Sequence, residues 1–238
     1  MSLTNASSFR RMACGLCLLI GPAMLLVATI VEPSSGDGDD NRAHLQALKD
    51  DPDMAQLSTA LWIYGFALVA IGIIGAVHVI RGRGVVLANL GGMLAIFGLI
   101  MFVALVTGTI SEINVVEHLG VDTAKKLSDD IDDYWVAYLV FIPALLGTFI
   151  GFILLGAAII RSKLTHIAAG ILIIVGIVAV VLSDGSKVGG IIANLVLLAG
   201  WGLVGLKLLG MTDEQWDGRV PLDSGPAAPP AVGAPPAA

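Results

Sequence analysis

Six long apolar runs, separated by segments whose charge alternates in sign, leave this chain one practical kind of fold, a bundle of helices that cross a membrane. A helix needs ~20 residues at ~1.5 Å each to cross a hydrocarbon core. The runs cover residues 12–31, 58–80, 85–111, 134–160, 164–182 and 188–209, and none carries a charge in its middle. Apolar residues make up 56% of the 238 and charged residues 13%, about half the ~25% of a soluble domain. The expected fold is therefore all-α, a polytopic transmembrane bundle of six helices. The third and fourth runs are long enough to tilt, and Pro143 should kink the fourth by removing a backbone hydrogen bond.

Orientation follows from the cations, which accumulate in short cytoplasmic loops. With the N-terminus inside, the cytoplasmic segments hold eight cations, Arg81, Arg83, Arg161 and Lys163 among them, against four carboxylates. The outer segments hold five cations against fifteen carboxylates. Both termini are thus expected inside, and the net charge of −6 is an outer-surface property that says nothing of a nucleic-acid partner. The first run follows Phe9-Arg10-Arg11 as a signal peptide would, but it exceeds the usual ~7–15 residue signal core and ends on Ile30 and Val31 where small residues would be cleaved. It reads as a retained span. Richness in Ala, Gly and Pro suits a bacterial chain, and a multi-pass protein of the plasma (inner) membrane.

The chain divides into a cytoplasmic N-terminus (1–11), a six-span membrane domain (12–210) and a Pro/Ala-rich cytoplasmic tail (211–238), which reads as disordered with polyproline II character. The outer loops, 32–57 and 112–133, are acidic and carry short helices. Their layouts resemble each other: His44-Leu45 precedes Trp62 as His118-Leu119 precedes Trp135. Either an internal duplication or the preference of Trp and Tyr for the interface produces this. In both cases the two loops should pack together as a small cap.

The sharpest chemical constellation lies towards the cytoplasmic side. Cys14, Cys17, His78 and His166 all fall roughly 5 Å inside one boundary, and four such ligands are the set of a tetrahedral Cys2His2 metal site. Shared depth does not make them neighbours, and buried cysteine also serves as a small apolar residue. The same two histidines are the pair that bis-histidine haem would require. His44 and His118 offer a cation or acid-sensing pair among the outer carboxylates, or are solvated loop residues. No cofactor is assigned.

Small residues four apart occur at Gly147 and Gly151, Ala88 and Gly92, and Ala104 and Gly108. Such pairs let helices approach closely, within the bundle or across a dimer face. Intramembrane polar groups are few and no ionisable residue sits at mid-membrane, which disfavours an ion-coupled carrier. No Gly-x-Ser-x-Gly, His-Glu-x-x-His or Gly-x-x-x-x-Gly-Lys sequence is present, so catalysis is not expected. The leading reading is a non-catalytic accessory or scaffold subunit that packs against another membrane protein or itself within the lipid bilayer. The alternative is a carrier or binder of an apolar or lipidic molecule, with a cavity floored by Asn89, Thr107 and Asn194. A metal or haem membrane protein comes third.

Overall fold

The computed structural model describes residues 6–33, 41–132, 135–183 and 186–221. Every element among them is helical: α1 (Ala6–Val31), α2 (Asn41–Asp50), α3 (Pro52–Val79), α4 (Val85–Leu119), α5 (Val121–Asp132), α6 (Trp135–Ile142), a π turn (Pro143–Gly147), α7 (Thr148–Ser162), α8 (Ile167–Leu182), α9 (Lys187–Gly210) and α10 (Asp213–Trp216). Helices α6 and α7 form one rod through the π turn. Five helices are long and apolar enough to cross a membrane, namely α1, α3, α4, the α6–α7 rod and α9. At 16 residues, α8 spans about 24 Å and is shorter than these. A multi-pass membrane protein is the result.

Short connections make sequential helices antiparallel neighbours. Helix α1 packs on α3, α3 on α4, α4 on α7, α7 on α8 and α8 on α9, and α9 returns to α1 to close the ring. The centre is filled by Leu18, Ile73, Leu155, Ile159, Ile173 and Trp201, with the edge of Phe152 against the Trp201 ring at 5.2 Å between centroids. The perimeter is also apolar, with Ile74, Phe97, Ile171, Ile192 and Leu206 exposed. Helices hydrophobic on every side belong in lipid. Two ends of the bundle differ: a cap face, which carries α2 and α5, and a tail face, which carries α10.

Glycine sets the closest contact. A Cβ on Gly151 would lie 2.5 Å from the Ala95 backbone nitrogen, and one on Gly147 would lie 3.0 Å from the Leu94 carbonyl oxygen. Helices α4 and α7 therefore touch backbone to backbone. Ala88 is fully buried, and a Cβ on Gly92 would meet the Val77 side chain of α3 at 2.6 Å. Two of the three small-residue pairs are thus used inside the bundle. The third is not: Ala104 is exposed and nothing approaches Gly108 within 4 Å.

Several boundaries differ from the apolar runs. Pro143 does not break its helix. The rod widens by one π turn over Pro143–Gly147 and returns to α spacing at Thr148, whose N–H donates to the carbonyls of Ala144 and Leu145, an accommodation of the kind known at single-turn π-bulges. Helix α3 starts at Pro52 rather than 58, because Asp51 caps it by accepting from the Met54 N–H at 3.2 Å and proline is favoured in the first turn. Helix α4 continues past residue 111 to Leu119, where Gly120 ends it with a φ of 84°.

The continuation of α4 is the post on which the cap is built. Leu45 and Leu48 of α2, Val121 and Ala124 of α5, and Ile113 and Val116 of α4 form a second apolar cluster. Arg42 pairs with Asp122 at 2.7 Å and the Asn41 amide donates to Ser128 at 3.3 Å, so the two loops do pack together. Leu57 stays exposed. The resemblance between the loops stops at the histidines, since His44 lies in a cap helix whereas His118 lies in the last turn of α4.

The tail departs most from expectation. Residues 211–221 do not run free of the bundle: Met211 and Trp216 are buried, and α10 is a single turn closed by a capping box between Thr212 and Gln215. The Pro/Ala-rich stretch of 222–238 lies outside the described residues.

Candidate functional site: a lateral groove beneath the cap

Between residues 100 and 112, α4 has no buried residue, and α6 has none along its length. These two helices are packed more loosely than the neighbouring pair α4 and α7. The separation begins at the π turn, since residues on its α7 side are locked to α4 by glycine contacts and residues on its α6 side are not. The space between them is a cavity of about 630 Å3. Leu105, Gly108, Tyr138 and Phe141 form its walls, and Ala124, Leu127 and Ser128 of α5 roof it. Ser111, Glu112 and Ser128 supply polar groups at the roofed end, and among the described residues no cation lines it. Its volume lies in the ~300–1,000 Å3 range of small-molecule sites, and its character, apolar with a few polar groups at one end, is typical of them.

The four candidate metal ligands are not assembled into a site. Cys14 is buried on α1 facing Gly75 of α3, where an added Cβ would meet its Sγ at 2.8 Å. Cys17 is half-buried on the same helix. The His78 ring packs against Trp216, with 4.8 Å between centroids. His166 caps α8, its Nδ1 accepting from the Ala168 N–H at 3.3 Å. Among the described residues, no three His, Cys, Asp or Glu side chains are grouped as metal ligands. The sequence places these residues at one depth, and depth is a single coordinate; the other two are set by helix rotation and neighbour choice.

Asn89, Thr107 and Asn194 do not share a cavity either. Asn194 is buried and donates to Thr29 Oγ1 at 3.1 Å and to the Gly190 carbonyl at 3.0 Å, tying α9 to α1 near the cap face. Asn89 and Thr107 are exposed on α4, and the Thr107 hydroxyl donates to the Val103 carbonyl of its own helix at 2.7 Å.

Two polar clusters went unread in the sequence. Near the cap face, the Trp62 indole N–H donates to the Glu32 carboxylate at 3.3 Å and Lys187 donates to the Glu32 carbonyl at 2.9 Å. Burial pushes the Glu32 carboxyl above its ordinary range, against the opposing pull of the Trp62 hydrogen bond, His44 and Lys187. At the tail face, Arg11 is buried and donates to the carbonyls of Leu208 and Leu209 as well as to Asp213. The signal for Arg11 was present as one of a pair of arginines before a span, where it reads as a topology mark. Only the fold turns it into a helix cap. Compared with known protein families, curated proteins and solved structures, the chain matches none.

Proposed function

We propose that this protein is a non-catalytic membrane protein that holds an apolar or lipidic small molecule in the groove between α4 and α6. The observation that carries this reading is the roofed cavity itself. An elongated apolar ligand can enter sideways from the bilayer, and its polar end then meets Ser111, Glu112 and Ser128 below α5. A carboxylate with no cation beside it favours a neutral or cationic polar end over an anionic one, because an unpaired carboxylate repels a buried anion. A partner helix fits less well. At ~10 Å across with its side chains, it would have to run through the strip that α5 roofs.

The accessory-subunit reading is the second proposal, and it draws on α6, where Trp135, Leu139 and Phe141 are exposed beside the unused Ala104 and Gly108. Native mass spectrometry of the protein extracted from its own membranes in mild detergent separates the two. A retained lipidic mass, lost in Gly108→Leu, is the expected result. A defined protein mass in its place would transfer the assignment to the accessory role. Bare chain in wild type and variant alike would sink the ligand reading.

The same proposal includes six spans, with α8 counted as the fifth, both termini cytoplasmic and a bacterial plasma membrane as the setting. Support comes from the tail face, where Arg81, Arg83, Arg161 and Lys163 crowd two short turns. In intact cells a membrane-impermeant maleimide is expected to label K126C on the cap face and to spare K163C until the membrane is opened. The reverse pattern would invert the topology.

A further inference from the structure

The tail face holds a second cavity, of about 860 Å3, bounded by the α3–α4 turn, the α7–α8 turn, the end of α9 and the segment after α10. Its lining brings together Arg81, Lys163, Lys207 and Arg219, with His166, Ser162 and Thr165, and among the described residues includes no Asp or Glu. These cations come from four separate stretches of chain. Read one by one in the sequence they are topology marks, but the fold gathers them around a single concavity.

Two of the four are already engaged. Arg81 donates to the Trp216 carbonyl at 2.9 Å, and Arg219 pairs with Asp217 at 2.9 Å, a carboxylate that also accepts from Ser7 at 2.9 Å. The other two are not: among the described residues the ammonium groups of Lys163 and Lys207 have neither an ion pair nor a hydrogen bond. Lys207 is half-buried. Lys163 has a left-handed φ of 54° at the end of α7, a position that glycine ordinarily fills. Because the His166 Nδ1 accepts from the Ala168 N–H, its Nε2 is left as a neutral donor. Like charges gathered around one concavity repel one another and focus a positive potential. An anion with several acceptor oxygens removes that repulsion and uses the hydroxyls and the imidazole N–H as well.

We propose that this tail-face cavity binds a phosphate-bearing anion, with Lys163 and Lys207 as its principal cations and Arg81 as a pre-positioned third. The phosphate has two possible sources, the headgroup of an anionic phospholipid or a soluble phosphate compound. A cavity at the end of the helices and at headgroup level is open to both, and basic pockets of this kind between membrane helices are known headgroup sites.

The test uses the full chain in mild detergent with phosphatidylglycerol, phosphatidylcholine and inorganic phosphate as probes, and compares wild type with K163Q/K207Q. A charge-matched control, K49Q/K126Q, removes two exposed lysines from the cap face. In native mass spectrometry the wild type is expected to retain phosphatidylglycerol over phosphatidylcholine, and K163Q/K207Q to lose that preference by about thirtyfold. The control keeps it. If inorganic phosphate raises the unfolding temperature of the wild type and not of K163Q/K207Q, the soluble source is identified; a response to phosphatidylglycerol alone identifies the lipid. Equal unfolding temperatures without probe establish that the variant is folded. The single variant K207Q gives the same reading if the double variant is not. The proposal is overturned if K163Q/K207Q matches wild type with both probes, or if the control loses as much.

Discussion

Replacing Gly151 by leucine is expected to abolish the native packing of α4 on α7, whereas the same replacement at Gly108 should change stability by less than ~0.5 kcal/mol. Both glycines belong to small-residue pairs of the same spacing in the same bilayer-crossing region. At Gly151, however, a Cβ would lie 2.5 Å, 2.7 Å and 2.8 Å from the N, Cα and Cβ of Ala95. Two of those atoms are backbone and cannot rotate away. Even alanine there must push the helices apart, at ~1–3 kcal/mol for an overpacked core. Leucine adds three more carbons with nowhere to go. The damage would spread, because Gly91 and Gly98 of α4 lie equally close to α7, against the Leu155 nitrogen at 2.9 Å and the Thr148 backbone and hydroxyl. Unfolding in mixed micelles, followed by the loss of helical signal, measures both variants. Equal tolerance at the two positions would mean that α4 and α7 do not meet as described.

This contrast shows where sequence reasoning reaches and where it stops. The runs of apolar residues are legible because the bilayer imposes a length and forbids charge, so the α6–α7 rod, α8 and α9 appear close to their true extents, whereas α4 outruns its apolar stretch to Leu119. The cap was legible from the similar layout of the two acidic loops. The fate of a given glycine pair was not, since Gly147 and Gly108 look alike until helix rotation decides which faces a neighbour. The groove was illegible for a related reason. It opens on the α6 side of the π turn at Pro143–Gly147, a turn that leaves no more than a proline in the sequence. The tail-face cations were visible one at a time, but an arginine in a short loop serves topology and ligand binding equally well on paper.

The second large effect is expected at Arg11, where Arg11→Ala should cost about 3 kcal/mol and release α10 from the bundle. The guanidinium is buried and donates to the Leu209 carbonyl at 2.8 Å, to the Leu208 carbonyl at 3.4 Å and to the Asp213 carboxylate at 3.2 Å. It thus closes the last turn of α9, whose carbonyls have no partner of their own in the helix, and anchors the segment that follows. Removing it takes the side-chain donor from the Leu209 carbonyl and leaves the Leu208 carbonyl with only the Met211 N–H at 3.3 Å. Asp213 is about a third exposed, at 32% of its side chain, so its own share is reduced by solvent screening. The hydroxyl of Ser8, followed by the charge of Arg11, holds the Asp213 carboxyl below its usual range. A carboxyl lowered in the folded state contributes stability at and above its unfolded value, and loses it only as pH falls through the lower, folded one. Asp213→Asn should therefore weaken the protein at neutral pH and flatten the acid limb of its stability profile below the usual carboxylate range. Further along the same segment, Gly218 has a φ of 74° and any side chain there would run into the Arg81 guanidinium. Gly218→Ala should detach the end of the segment while leaving the Arg11 bonds in place. Protease nicking after α9 reads all three variants: Arg11→Ala should open the segment from Met211 onward, and Gly218→Ala only its distal part. Full protection in Arg11→Ala would show that apolar burial of Met211 and Trp216 is enough to hold the segment without its buried arginine.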